Sequence, residues 1–371
     1  MKFRTASFYV PLILFTLFSN DIQAQNITAT DQKYDSTSFF HNTTIGGQWF
    51  MAYQYGESST DTINSFTIKR ATLTVKQKIS KIFEARFTQD ITLDNEGSDA
   101  GNIEMRLKYC YLKTNLPDAG FITSPNIEFG LVHRPWVDFE EKINRYRVQG
   151  ALFLDRNKII SSADFGVTLG GLLGGKLESK SDKKINYAYP GKYGSFSIGV
   201  YNGGGYFATE KNLNKIIEGR LTIRPLPNVL PGLQFSYLQS YGKGNLVSSP
   251  DYINSLGALS FESNYFNAIA QYYQGKGNYL GDYVDSLGQS TKNNGYSFFL
   301  ELKIPKTKAS LIGRYDDFTQ NLYGNKVSKR YIAGISYFFF ENSKIILDVD
   351  YLKKTGSPDC WLGEVAVEVC F

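Results

Sequence analysis

Trp361-Leu362-Gly363-Glu364-Val365-Ala366-Val367-Glu368-Val369-Cys370-Phe371 alternates with period two. Gly363, Val365, Val367, Val369 and Phe371 make one apolar row, and Glu364, Ala366, Glu368 and Cys370 make the other. Side chains on a strand point alternately to opposite faces, so the segment separates two solvents, one apolar and one wet. The pattern recurs upstream. Ile103, Met105, Leu107, Tyr109 and Tyr111 alternate with Glu104, Arg106, Lys108 and Cys110. Phe83, Ala85, Phe87 and Ile91 alternate with Glu84, Arg86, Thr88 and Asp90.

Sixteen such segments are predicted, at 47–55, 65–79, 83–93, 103–114, 126–133, 164–173, 194–202, 215–224, 232–241, 256–262, 265–273, 295–304, 309–316, 330–340, 344–352 and 361–371. Their connectors alternate in length. Residues 80–82, 262–264, 305–308 and 341–343 are tight, whereas 56–64, 94–102, 203–214, 242–255, 274–294 and 317–329 are longer and rich in Gly, Asn, Asp and Ser. The segment 174–193 breaks the alternation. Membrane barrels have short turns at one end and long loops at the other, and in lipid only a closed sheet satisfies every backbone group. The expected fold class is all-β, a transmembrane antiparallel β-barrel of about 16 strands. A soluble sandwich would turn polar rows outward, yet one whole row per strand is Tyr, Phe, Leu, Ile and Val. The terminal aromatic resembles the C-terminal signal of bacterial outer-membrane barrels. That resemblance makes Phe371 the expected assembly signal, engaging the barrel assembly machinery.

Composition agrees with this reading. The 371 residues include 26 Tyr and 27 Phe, rings suited to pleated surfaces and membrane–water interfaces. Mean hydropathy is −0.27, too polar for a helical membrane protein, but a barrel keeps half its positions polar. Lys2 and Arg4, the apolar run 6–18 and Ile22-Gln23-Ala24 read as a secretory signal peptide spanning 1–24. A flexible stretch, 25–43, and a barrel domain, 44–371, are expected to follow, with the bacterial outer membrane as destination. The net charge of +5 is too mild to imply nucleic acid. Cys360 and Cys370 lie at opposite ends of one strand, roughly 33 Å apart at about 3.3 Å per residue, beyond the reach of a disulfide.

A barrel of about sixteen strands encloses water rather than a packed core. The default function is then passive diffusion of small polar or charged solutes. One connector stands apart, between His133 and Asp164. It carries Arg134, Asp138, Glu140, Glu141, Lys142, Arg145, Arg147, Asp155 and Arg156 among Trp136, Phe139, Phe153 and Leu154. Long segments inside compact folds are usually functional, and these aromatics need something to pack against. The loop between strands 5 and 6 is expected to fold inward, with Arg134, Arg145, Arg147, Arg156, Glu140 and Glu141 at the constriction.

The chain resembles the phosphate-selective porin O and P family. Phe66-Thr67-Ile68-Lys69-Arg70-Ala71-Thr72-Leu73-Thr74-Val75 is similar to its Arg-Arg-Ala-Arg strand, and 129–136 (Phe-Gly-Leu-Val-His-Arg-Pro-Trp) to its Gly-Gln-Phe-Lys-x-Pro-Phe stretch. Phe153-Leu154-Asp155-Arg156, Asp164-Phe165-Gly166-Val167, Val200-Tyr201-Asn202-Gly203, Gly219-Arg220-Leu221-Thr222-Ile223-Arg224-Pro225 and Gly313-Arg314-Tyr315-Asp316 match further phrases in order. The resemblance implies a homotrimeric channel, in some members selective for anions such as phosphate. His133 stands where a Lys is common, and Asp164 replaces a basic residue.

Inward parity gives a basic wall of Arg86, Arg106, Lys108, Arg220, Arg224, Lys303, Arg314, Arg330 and Lys344. The acidic wall is Glu84, Asp90, Glu104, Glu218, Glu301, Asp316, Asp348, Asp350, Glu364 and Glu368. These nearly cancel, so the wall as a whole makes no anion ring. Strands fifteen and sixteen form an acidic patch (Asp348, Asp350, Glu364, Glu368) that either faces the basic loop across the pore or is spent in local pairs. The only histidines are His41 and His133, and neither has a recognisable nucleophile partner. No metal-ligand spacing or phosphate-cradling glycine loop appears. The expectation is a non-enzyme without cofactors. The alternative is a barrel with a blocked lumen serving as adhesin or assembly partner.

Overall fold

The computed structural model describes residues 42–94, 101–177, 188–322 and 324–371. The signal-peptide reading, most of the 25–43 stretch and His41 lie outside these. The strands are β1 (Thr43–Glu57), β2 (Thr62–Lys78), β3 (Phe83–Leu93), β4 (Ile103–Asn115), β5 (Ile122–His133), β6 (Ala163–Leu173), β7 (Gly194–Tyr201) and β8 (Ile216–Ile223). They continue as β9 (Gln234–Lys243), β10 (Asp251–Glu262), β11 (Phe266–Lys276), β12 (Lys292–Lys303), β13 (Ala309–Asn321), β14 (Asn325–Phe340), β15 (Ser343–Lys354) and β16 (Cys360–Cys370). Each pairs antiparallel with its sequence neighbours, and β16 pairs with β1 from Gln48↔Cys370 to Glu57↔Trp361, closing the barrel.

Several strands run longer than their alternation predicted, whereas β7 and β8 are slightly shorter. β10 starts at Asp251 rather than 256, and β13 and β14 reach Asn321 and Asn325, reducing the expected 317–329 loop to three residues. Ladder hydrogen bonds continue through polar residues once neighbouring strands are in register, so polarity alone marks the end of the apolar face and not the end of the strand. The three cysteines are unpaired.

The outer face carries the apolar rows, with Trp49, Tyr53, Phe235, Phe298, Leu347 and Val365 all exposed. At the long-loop end an aromatic belt crosses consecutive strands. Tyr296 touches Tyr315, Tyr315 touches Tyr331, Tyr331 touches Tyr351, and Trp361 touches Tyr55. At the other end Phe371 meets Trp49 edge-on at 5.2 Å, and Phe261 stacks on Phe266. Such girdles flank the lipid-facing band of membrane barrels.

Two bulges change the parity of the wall. Between β1 and β2, Phe50 pairs with Arg70 and Met51 with Ile68, leaving Lys69 as the extra residue. Between β3 and β4, Thr88 pairs with Tyr109 and Gln89 with Leu107, leaving Lys108 extra. An extra residue switches which side chains face which way. Ile103, Met105 and Leu107 are exposed on the outside as expected, but Tyr109 and Tyr111 are buried inside. The sequence had assigned all five to one outer row; the bulge corrects that for the last two.

Candidate functional site

Residues 134–162 leave β5, fold into the lumen and return to β6. The backbone N–H of Arg134 donates to the Ser162 carbonyl at 3.1 Å, pinning the base of the loop. Within it are helix α1 (Val137–Ile143), a 3₁₀ turn (Arg147–Gln149) and helix α2 (Phe153–Arg156). Helical spacing gives α1 two sides. Val137, Phe139, Glu140 and Ile143 are buried, while Asp138, Glu141 and Lys142 stay partly open.

The buried side packs on a belt of apolar residues that face inward from the barrel. Leu238, Leu256, Ile269, Phe299, Ile312 and Ile346 meet Trp136, Phe139, Tyr146, Phe153 and Leu154 in one cluster. Phe153 and Tyr146 contact Phe318 and Phe299 with ring centroids 6.4 and 5.9 Å apart. The reading of the inward rows as Thr, Ser, Gln, Gly and charges missed this belt, because an apolar residue facing inward leaves no mark in the alternation except a break.

Polar clamps reinforce the seat. The fully buried Arg134 donates to Glu218 at 2.5 Å and to Tyr252 at 3.3 Å. Glu140 accepts from Trp136 Nε1 at 2.8 Å and from Gln271 at 2.7 Å. Tyr146 Oη donates to Glu301 at 2.7 Å. Gln149 donates to Asp348 at 2.6 Å, Arg156 to Asp316 at 3.2 Å, and Arg314 to the Ala151 carbonyl at 3.0 Å. Arg145 lies 3.6 Å from Glu262. Gly150, at φ 141°, lies where an added Cβ would come 2.8 Å from Arg156 Nη2. Arg220 donates to the Pro135 carbonyl at 3.0 Å, its guanidinium 4.3 Å from the Phe139 ring and 4.9 Å from that of Tyr189. Tyr189, from the β6–β7 connection, reaches α1, where its hydroxyl donates to Asp138.

These contacts correct the sequence-based list. Arg134 and Glu140 are buried against the wall instead of lining a passage, because their side of the loop is the seated one. Arg145 and Arg156 also turn towards wall carboxylates. Arg224 is buried, donating to the Gly191 carbonyl and to Gln234, and Arg314 serves the clamp. The acids of β15 and β16 are spent on individual partners, Asp348 on Gln149 of the loop and the other three on wall cations. Asp350 pairs with Arg330 at 2.5 Å, Glu364 with Lys69 at 2.5 Å and Glu368 with Lys344 at 2.6 Å. They do not form a patch facing a basic loop. Arg106 pairs with Glu104 near the long-loop end.

The open side of the loop faces β2, β3 and β4. There Arg70, Lys76, Arg86 and Lys108 project inward, with Asp90 among them, held by Arg70 at 2.5 and 2.7 Å. Tyr206, from the β7–β8 loop, caps this pair, donating to Asp90 at 3.0 Å. On the loop side lie Asp138, Glu141 and Asp155 with Lys142 and Arg147. Lys142 is 3.0 Å from Glu141 and Arg147 is 3.0 Å from Asp155. Burial is the largest influence on Asp138 and Glu141 and opposes their ionisation, but Lys142 beside both, together with Tyr189 and Arg86 at Asp138 and Lys108 at Glu141, outweighs it, so both carboxyls sit below their usual range. Below this region, towards the short turns, a cavity of about 490 Å³ is lined by Lys76, Arg86, Lys113, Glu128, His133 and Asp138, among others. Lys76 was legible from its alternation with Leu73 and Val75. Arg70 was not, because the bulge at Lys69 turns two consecutive residues inward.

A closed sixteen-stranded antiparallel barrel is the fold of outer-membrane porins. An anion-selective porin from Comamonas acidovorans superposes with a TM-score of 0.58 at 11% identity, covering 89% of this chain and 99% of that one. OmpF of Salmonella typhi, in complex with daunomycin, gives 0.58 at 13% identity, covering 89% and 97%. OmpT of Vibrio cholerae, in its trimer form, gives 0.53 at 11%, covering 89% and 99%. No family model matches the sequence, and no curated protein matches it.

Proposed function

We propose that this chain is an outer-membrane porin, a water-filled channel for passive diffusion of small polar or charged solutes with a preference for anions. The observation that carries the reading is the pair of facing edges across the lumen. Arg70, Lys76, Arg86 and Lys108 outnumber Asp90 and Glu84 on the wall of β2–β4, while Asp138, Glu141 and Asp155 are balanced by only Lys142 and Arg147 on the loop. Charges in a narrow passage act more strongly than in bulk water, and opposed edges orient dipolar solutes as they pass. Oxyanions such as phosphate suit the wall, since guanidinium groups offer paired donors; the sequence resemblance supports the same solute class.

The two aromatic girdles and the apolar outer face support a position in outer-membrane lipid. The trimer form of a structural neighbour supports a homotrimer. Export through residues 1–24 and insertion by the barrel assembly machinery, with Phe371 in its signal, complete the reading. It involves no catalytic step and no cofactor. The alternative, a blocked barrel serving as adhesin or structural partner, draws on the loop seated inside the lumen. Planar-bilayer recording under a KCl gradient separates the two. Stepwise conductance with a reversal potential of anion sign is the expected result. Folded protein without conductance would favour the alternative, and a reversal potential of cation sign would remove the anion preference.

A further inference from the structure

His133 closes β5 at the edge of the charged passage, and its two ring nitrogens have different partners. Nδ1 lies 2.9 Å from Glu128 Oε2, and Nε2 lies 2.9 Å from Arg86 Nη1. Arginine has only donors. Nε2 must therefore accept, which fixes the imidazole as neutral with its proton on Nδ1, donated to Glu128. Asp138 Oδ1 waits 3.7 Å from the same Nε2. The ring is packed on Tyr109, centroids 4.1 Å apart, and beside Tyr111 at 5.3 Å. Arg86 lies over the Tyr109 face at 4.6 Å, with its Nε donating to Thr88 at 3.0 Å.

The geometry points to His133 as a positioning residue that holds Arg86 through an unprotonated nitrogen and so makes the ion preference of the passage depend on pH. The inference rests on the channel reading above. Protonation puts an N–H on Nε2 facing another donor at 2.9 Å, and that contact cannot persist. Asp138, less than an ångström beyond hydrogen-bond distance, is the acceptor to which the new N–H turns. Arg86, kept by Thr88, Tyr109 and Tyr111, is left with Nη1 released from the imidazole. The groups facing this centre are Arg86 from β3, Tyr109 and Tyr111 from β4, Glu128 from β5, Asp138 and Lys142 from α1, and Tyr189 from the β6–β7 connection, which holds Asp138. Two carboxylates among them accommodate the imidazolium. The passage gains a positive charge and a released guanidinium while Asp138, already held by Tyr189, is drawn to the imidazolium as well, so every change favours anions.

Reversal potentials under a KCl gradient at pH 8 and pH 5.5 test this. The chloride-to-potassium permeability ratio of the wild type is expected to rise about threefold on acidification, the effect of roughly one unit charge at close range in a wet passage. His133→Gln, whose amide accepts from Arg86 and donates to Glu128 at every pH, should lose most of the rise. His133→Lys should show the high ratio at both pH values. A wild-type ratio that does not move, or a His133→Gln channel that keeps the whole rise, would overturn the inference. A barrel that conducts at neither pH sinks the channel reading but leaves the contact testable. In that case ¹⁵N shifts of His133 in detergent decide it, with an unprotonated Nε2 at pH 8 that protonates by pH 5.5 expected and a protonated Nε2 at pH 8 fatal.

Discussion

The inward loop has two sides that use the same residue types for opposite purposes. Towards β8–β16 its arginines and carboxylates are buried and committed, Arg134 to Glu218 and Glu140 to Trp136 and Gln271, between rings that pack on the apolar belt. Towards β2–β4 Asp138, Glu141 and Lys142 remain partly open and face wall cations. A buried charge stripped of its partner is costly, whereas an exposed pair contributes little to stability. The seated side therefore determines where the loop is, and the open side determines what the passage prefers.

Breaking the seated side should have the largest effect. Arg134→Ala leaves Glu218 buried without its cation and is expected to cost about 3–5 kcal/mol. Its thermal unfolding midpoint should fall sharply, and any folded channels should conduct more because the loop is unseated. An unchanged midpoint would mean that the base of the loop is held by its backbone bond to Ser162 alone.

Glu140 gives the next effect, through pH. Burial pushes its carboxyl up to about 7, against the pull of Arg314 and of its hydrogen-bond donors. Between about 4.5, the ordinary value, and 7 the folded protein keeps a proton that the unfolded chain has released. Stability should therefore fall as pH rises through this window, by about 3 kcal/mol. Glu140→Gln should match the wild type below about pH 4.5 and be the more stable of the two at pH 8. Parallel pH–stability curves would show that Glu140 ionises normally.

Tyr146→Phe removes the hydroxyl that Glu301 and Ser336 share while keeping the ring on Phe299. A loss of about 1–2 kcal/mol is expected, read from unfolding in denaturant, with selectivity unchanged.

The open side should behave in the opposite way. Lys76→Ala should lower the anion-to-cation permeability ratio and Glu141→Gln should raise it, each with stability within about 0.5 kcal/mol of wild type. Both shifts should shrink at high salt, where exposed charges are screened. If either variant unfolds early instead, the distinction between the two sides fails at that residue.

The alternation of Val365, Val367 and Val369 against Glu364 and Glu368 was enough to expose the barrel. The rings of Trp136, Phe139, Phe153 and Leu154's apolar side chain were enough to predict an inward loop. The direction in which that loop leans was hidden. It depends on Leu238, Leu256, Ile269 and Ile346, which look like interruptions in polar rows, and on partners such as Glu218 for Arg134 that lie far away in sequence. The wall cations were partly hidden for another reason. Period-two reading carries its phase forward from residue to residue, so one extra residue at Lys69 or Lys108 misassigns everything after it until the next turn. Arg70, Tyr109 and Tyr111 were lost in this way.

The pairing of β1 with β16 also carries a kinetic consequence. Every other ladder joins strands adjacent in sequence, but Gln48 meets Cys370 across almost the whole chain. Contacts of such sequence separation form slowly, because the entropy of closing the chain is lost before they contribute. The hairpins can therefore zip early, and the seam between β1 and β16 is the last to shut. Until it does, the nascent sheet has two unpaired edges, each a template for pairing with another chain. The speed of that final closure, more than the stability of the finished barrel, sets how long the protein is exposed to aggregation.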